Sequence, residues 1–464
     1  MTDDAFIHIG FINNLIKGNG LGFAGKRTYG TTSPLWIFLA GFLSLFTHNT
    51  ELSVRILSGL FTALSIVFFY FLLDKLKIKE PIKTAGLVSL GLNPFVLRWS
   101  LTGMESTAAM SFTIAFMLLL NKDYTFKRQV FTGILFGIAC LLRPEFTGFL
   151  LITVVFFLFK HKADKQKFLF ALPGLIILTG WILFTYFYFG YILPNTYTAK
   201  SSSHLISFDP QALYRDLQTL LVVNLPEFLF IGILIFILFL FIRIADRKKF
   251  FPSIICNNEQ PSFCLIFLWL AVFYIFYIFR DVTILSRYAL IFVPLLILFV
   301  LNALNSALPL FSKKSRLAFL SAYFLIITVN FSFFTFKVIK PSADDFVNGF
   351  QTAYKHIALI IHSYSNNKDI SVGVADVGII GVFSNAKIYD TKGLVDNERF
   401  NYKSTLEYYL DKKPDFIILR GEENIKDVIP PGIKYKVLFR KQLPGFGIET
   451  PEKRTVSLYK IDWK

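Results

Sequence analysis

Asp3 and Asp4 are adjacent carboxylates that open the amphipathic run AFIHIGFINNLIKG. Paired acids offer a proton acceptor, or two ligands for a divalent cation, although two carboxylates do not by themselves fix such an ion. The same pair also reads as an N-cap followed by a first-turn acid that complements the helix dipole. A glycine-rich stretch follows, Gly18-Asn19-Gly20-Leu21-Gly22, then Gly25-Lys26-Arg27 and Gly30-Thr31-Thr32-Ser33-Pro34-Leu35-Trp36. It is no dinucleotide fingerprint, because no strand precedes it and the third glycine is misplaced, so by itself it reads as a turn. Further along, Arg98, Glu105, Arg143, Glu145, Arg280 and Arg287 stand singly at the ends of apolar segments. Lone charges there either point into a polar cavity or snorkel to the headgroups. The three cysteines, Cys140, Cys256 and Cys264, build no disulfide framework and no thiolate metal site.

The elements that must position these groups are set by composition. Of 464 residues, 54% are apolar and only 17% charged, and the apolar residues come in blocks such as FIGILIFILFLFI (230–242). That excludes a single water-soluble globule and a disordered chain, leaving transporter, channel, membrane enzyme or assembly factor. The formal net charge of +17 suits cytoplasmic loops rich in Lys and Arg, and no nucleic-acid partner is called for. The opening MTDDAF carries two acids and no basic-plus-apolar leader, so no signal peptide is expected.

Segments long enough to approach a bilayer crossing fall at 52–73, 84–98, 105–120, 129–142, 146–160, 168–189, 226–243, 262–279, 287–304 and 317–338. The segment 34–46 is too short to cross and reads as interfacial or re-entrant. With it uncrossed, the basic clusters at 74–83, 121–128, 160–167, 243–249 and 312–316 share one face, which the positive-inside rule makes cytoplasmic. Residues 1–33, the loop 190–225 and the tail then lie outside. From Pro341 the sequence predicts an amphipathic helix over 343–365 and short strands at 370–376, 414–420, 434–440 and 455–461. The expected organisation is an extracytoplasmic first loop with interfacial helices (1–51), a transmembrane domain (52–340) and an extracytoplasmic α/β domain (341–464).

The acidic pair in DDAFI, the glycine turn and the G-x-TSPLW segment resemble the first extracytoplasmic loop of the GT-C membrane glycosyltransferases. The likeness is to the bacterial branch that includes the mycobacterial terminal arabinofuranosyltransferases, with protein O-mannosyltransferases and the lipid A aminoarabinose transferase more distant. LTGME (101–105), LRPE (142–145), LPNTYTAK (193–200), VADVGIIGVFSN (374–385) and IYDTKGLVD (388–396) fit in the same order. The resemblance implies a polytopic α-helical membrane protein of about ten spans in the bacterial inner membrane, its active site and C-terminal domain extracytoplasmic. It implies an inverting enzyme that takes a sugar from a polyprenyl-phosphate donor to a glycan, lipid or protein acceptor, with membrane lipid around it. Asp3 would be the general base, with Asp4 as its partner or a metal contact. Lys200, Arg143, Lys26, Arg27 and Arg287 would meet the leaving phosphate, and Arg280 faces the same side. Each of these cations reads equally as an anionic-lipid contact or a helix-end charge.

Glu105, Glu145, Asn195, Tyr197 and Asp376 would line the sugar-binding cavity, with Glu105 and Glu145 alternatively pairing with Arg98 and Arg143. Asp390 and Asp396 read as turn-capping acids, and His8 as a headgroup-facing histidine. No cofactor is fixed beyond the option of a divalent cation. Family members carry a transmembrane helix ahead of the acidic pair, which implies a start upstream or a missing helix. They also carry an arginine a few residues after it, which HIGFINN lacks, so that contact must come from elsewhere. A flippase of lipid-linked glycans would show paired broken spans in two similar halves, and none is evident. A non-catalytic envelope scaffold is the third reading.

Overall fold

The structure is a computed structural model that describes residues 1–120, 125–160, 171–200, 209–241, 261–280, 282–365, 369–421, 423–444 and 454–464. Most of the basic clusters at 160–167 and 243–249, and half of that at 121–128, lie outside the described residues. The chain divides into two compact units: Met1–Val54, Leu183–Lys200 and Phe336–Lys464 in one, and Arg55–Ile182 with Ser201–Thr335 in the other.

The first unit is built on the helix Asp3–Ile16 and a five-stranded sheet. The helix buries Phe6, Ile9, Phe11 and Ile12, and His8 with them. His8 is therefore a core residue and not a headgroup-facing one. After it come β1 (Gly22–Phe23) and β2 (Lys26–Arg27), antiparallel and joined by Ala24-Gly25, both at positive φ as a two-residue hairpin turn requires. The helix Pro34–Thr47 starts on its proline and ends at His48 in the left-handed conformation. At 14 residues it is too short to span a bilayer, and it leaves Phe42, Leu45 and Phe46 exposed.

The sheet comprises β3 (Ser371–Val374), β4 (Lys387–Asp390), β5 (Phe416–Arg420), β6 (Lys434–Gln442) and β7 (Thr455–Asp462), in the order β4-β3-β5-β7-β6. β3 is parallel to both β4 and β5, and β7 is antiparallel to β5 and β6. The helix Val377–Phe383 crosses from β3 to β4 and is the main partner of Asp3–Ile16. Glycines allow that contact. A side chain at Gly378 would meet the Asp3 carbonyl oxygen at 2.2 Å, and one at Gly381 would meet the Phe23 ring at 2.2 Å. Hydrogen bonds and packing join the helix Asp3–Ile16 to Val377–Phe383.

The second unit is helical. Among the described residues of the whole chain, four helices are long and apolar enough to cross a membrane: Thr50–Lys75, Ala171–Phe189, Ser286–Ser306 and Lys313–Tyr364. The pair Pro210–Val223 and Leu225–Phe236, bent by 84°, adds a fifth if it counts as one span. Shorter apolar helices include Ser106–Leu119 and Phe126–Leu142. The expected span 84–98 is instead two helices, Ile82–Gly91 and Pro94–Ser100. Asn93 breaks it, because its side chain caps the backbone N–H groups of Phe95 and Val96 and Pro94 cannot continue the preceding ladder. A stack of aromatic rings fills part of the interior, with Phe116 on Phe136 at 4.1 Å and Phe149 on Trp269 at 4.5 Å.

Pro341, where the sequence places the start of the C-terminal domain, does not interrupt the helix around it. Lys313–Tyr364 is continuous over 52 residues. The six residues before Lys340, Phe334–Ile339, form a π-helical segment, whose wider i→i+5 spacing moves the carbonyls that the proline ring would otherwise strike.

Candidate active site

In the first unit the Asp3 carboxylate accepts backbone N–H bonds from Gly378 and Ile379, both at 3.1 Å. It therefore caps the helix Val377–Phe383 from a residue 375 positions away, where Asp376, the formal cap position, makes no capping bond of its own. Asp376 instead accepts from the Tyr354 hydroxyl at 2.9 Å and pairs with Arg420 at 3.5 Å and Lys392 at 3.9 Å. Asp4 sits half-buried beside Asp3.

Burial pushes the Asp3 carboxyl up to about 7, and the charges of Asp376 and Asp4 push the same way against its two N–H donors. A carboxyl raised in the native state holds its proton more tightly folded than unfolded. Its contribution to stability is full below the unfolded value of 3.8 and is lost as pH rises through about 7. Asp390, pushed by burial to about 6, acts in the same sense. Glu398, held down to about 2 by its hydrogen bonds from Lys26 and Lys412, titrates below that window. Thermal melts are expected to show Tm falling between about pH 4 and about pH 8. Asp376→Asn removes a like charge, lowers the Asp3 pKa and flattens the upper part of that fall.

The cations of this unit are largely spoken for. Lys26 pairs with Asp396 at 3.0 Å and Glu398 at 2.9 Å, so its charge is met by carboxylates and not held open for a phosphate. Asp396 also accepts from the Tyr408 hydroxyl. Arg27 lies over the Tyr188 ring at 5.1 Å. Asn195 begins the short helix Asn195–Lys200 and donates to the Thr28 hydroxyl at 3.0 Å, which ties that segment to the loop after β2. Tyr197 is half exposed. The Lys200 side chain lies outside what is described.

In the second unit Arg143 and Glu145 form a buried bidentate pair: Nη2 to Oε1 at 2.7 Å and Nε to Oε2 at 3.2 Å. Glu105 stands 3.8 Å from the same guanidinium, which lies 4.6 Å from the centre of the Tyr288 ring. The Tyr277 hydroxyl donates to Glu145 at 2.7 Å, and the Trp269 indole N–H donates to the Glu145 carbonyl at 2.9 Å. Arg287 is buried and donates to the Tyr288 hydroxyl at 3.3 Å. Arg98 lies over Trp99 and not against Glu105. Sequence reasoning paired Arg143 with Glu145 but had no signal for Tyr277, Tyr288 or Trp269, which reach the pair from distant helices.

Among the described residues no three His, Cys, Asp or Glu side chains converge as a metal-binding group. Each Asp3 oxygen accepts one backbone N–H, and no step is derived through a divalent ion.

Solved structures match this architecture over nearly its full length. ArnT from Cupriavidus metallidurans, in a crystal structure bound to undecaprenyl phosphate, superposes with a TM-score of 0.60 at 13% identity, covering 98% of this chain and 93% of ArnT. The chain has a GT-C fold. The oligosaccharyltransferase of Archaeoglobus fulgidus, crystallised with Zn and sulfate, matches with a TM-score of 0.51 at 11% identity, over 90% of this chain and 64% of that one. Residues 346–459 match a family described as a domain of unknown function, DUF8728. No curated protein matches the chain by sequence. The expected fold class, a polytopic helical membrane protein with a C-terminal α/β domain, is thereby met.

Proposed function

We propose that this protein is a membrane glycosyltransferase that moves a sugar from a polyprenyl-phosphate donor to a glycan, lipid or protein acceptor on the outer face of a bacterial inner membrane. The observation that carries the reading is the whole-chain likeness to ArnT, whose crystal structure holds undecaprenyl phosphate. In the reaction an acceptor hydroxyl attacks the anomeric carbon, the bond from that carbon to the phosphate oxygen breaks, and the hydroxyl proton passes to a carboxylate. Inversion follows from the single displacement.

Asp4 is the proposed proton acceptor of the N-terminal pair, with Asp3, whose oxygens accept from Gly378 and Ile379, as its partner. Asp3 is then a positioning residue that holds the first helical turn against the C-terminal domain. Lys200, Arg287 and Arg27 are the cations proposed to meet the departing phosphate. Glu105, Asn195, Tyr197 and Asp376 are the proposed sugar contacts, and the Arg143–Glu145 pair is proposed to stiffen the helix ends that carry it. The test is transfer by purified protein from a panel of polyprenyl-phosphate sugars, read as the mass gain of acceptor. Glycosylated product from at least one lipid donor is expected. Transfer from nucleotide sugars alone, or cytosolic exposure of residues 1–33 to protease, overturns the reading.

A further inference from the structure

The C-terminal sheet contains a switch of direction that the reaction described above leaves unused. From β3 the chain crosses through Val377–Phe383 to β4 on one side, and from β4 through the helix Thr405–Lys412 to β5 on the other side of β3. In parallel sheets ligands bind in the crevice outside the carboxyl ends of the strands, where the order reverses in this way. A cavity of about 110 Å³ lies there, well above the roughly 10–15 Å³ that admits one water. Thr391 stands directly after β4, Glu423, Asn424 and Asp427 follow β5, and Thr405 and Tyr409 come from the intervening helix.

The lining has a consistent chemistry. Two hydroxyls, an amide, a phenol and two carboxylates sit over an apolar floor of Ile418, Leu419 and Val428, and among the described residues no Lys or Arg lines the cavity. Such a wall accepts hydrogen bonds from hydroxyl groups and repels an anion. Tyr409 is fully buried, and its hydroxyl has no hydrogen-bond partner within the described protein. A buried unpaired hydroxyl is costly, and the fold is cut to hold it: a side chain at Gly373 would meet the Tyr409 oxygen at 2.4 Å.

We infer that this crevice is a binding site for one sugar unit without anionic groups. That the unit belongs to the acceptor glycan rests on the glycosyltransferase reading; the binding itself does not. The test uses the full chain in lipid nanodiscs, free of sugar-headed detergent, with methyl glucoside, N-acetylglucosamine and glucuronate followed by saturation-transfer NMR. The two uncharged sugars are expected to bind at millimolar concentration and glucuronate about tenfold more weakly. Val428→Trp, which fills the cavity, abolishes the signal, and Asp427→Asn, which keeps its volume, weakens it. Tm of each variant reports folding.

Equal binding of glucuronate, undiminished binding in a folded Val428→Trp protein, or no binding of any of the three overturns the inference. Sugar binding without transfer from any lipid donor sinks the enzyme reading and leaves the site standing. Transfer with no sugar binding at this crevice does the reverse.

Discussion

Glu145→Ala is expected to unfold the helical unit at temperatures where the parent chain is stable. The substitution leaves Arg143, about 5% exposed, without the carboxylate that takes two of its N–H groups at 2.7 and 3.2 Å. Glu105 at 3.8 Å is too far to replace them by hydrogen bonding. Breaking a buried pair from one side costs roughly 3–5 kcal/mol, because the stranded charge stays desolvated. The Tyr277 hydroxyl loses its acceptor at the same time, adding about 1–3 kcal/mol. The double variant Arg143→Met with Glu145→Gln separates structure from chemistry. It removes both charges while leaving Tyr277 an acceptor, so its Tm should return close to that of the parent. Since Glu145 takes the Nε–H and one Nη2–H of the guanidinium, the pair is expected to be structural and that variant to retain transfer. A folded but inactive double variant would show instead that Arg143 meets the donor phosphate. Tm in detergent and product yield decide the matter.

The places where sequence and structure part company have a common physical origin. Ala171–Phe189 and β5, β6 and β7 follow from the hydropathy and residue types of their own segments. Val377–Phe383 does not: VGIIGVF carries two glycines and β-branched residues that favour a turn or strand. It becomes helical because Asp3 caps it and because those glycines let Asp3–Ile16 and Phe23 come close. β4, four residues from Lys387 to Asp390, is too short and too polar to stand out, and only pairing with β3 makes it a strand. Charges show the same limit. The sequence displays Lys26 as an open cation, while its partners Asp396 and Glu398 stand 370 and 372 residues away. Arg143 and Glu145 are legible as a pair because only Pro144 separates them. What sequence yields here is the elements that stabilise themselves; elements and charges completed by remote partners need the fold.

The same distinction predicts opposite outcomes for two neighbouring aspartates. Asp4→Asn should reduce transfer by about 10²–10⁴-fold, the usual worth of a general base, with Tm unchanged. Asp3→Asn should lower both transfer and stability. An amide in that place has a single acceptor oxygen, so its NH₂ group confronts one of the two N–H donors from Gly378 and Ile379. Losing one charge-assisted bond and leaving a partly buried N–H unpaired costs about 1–3 kcal/mol. The loss falls on the joint between Asp3–Ile16 and Val377–Phe383, and amide hydrogen exchange should speed up in both helices of Asp3→Asn but in neither for Asp4→Asn. If Asp3→Asn alone abolished transfer while exchange and Tm stayed at parent values, Asp3 would be the proton acceptor despite its two backbone bonds. The capping role argued from its geometry would then be secondary.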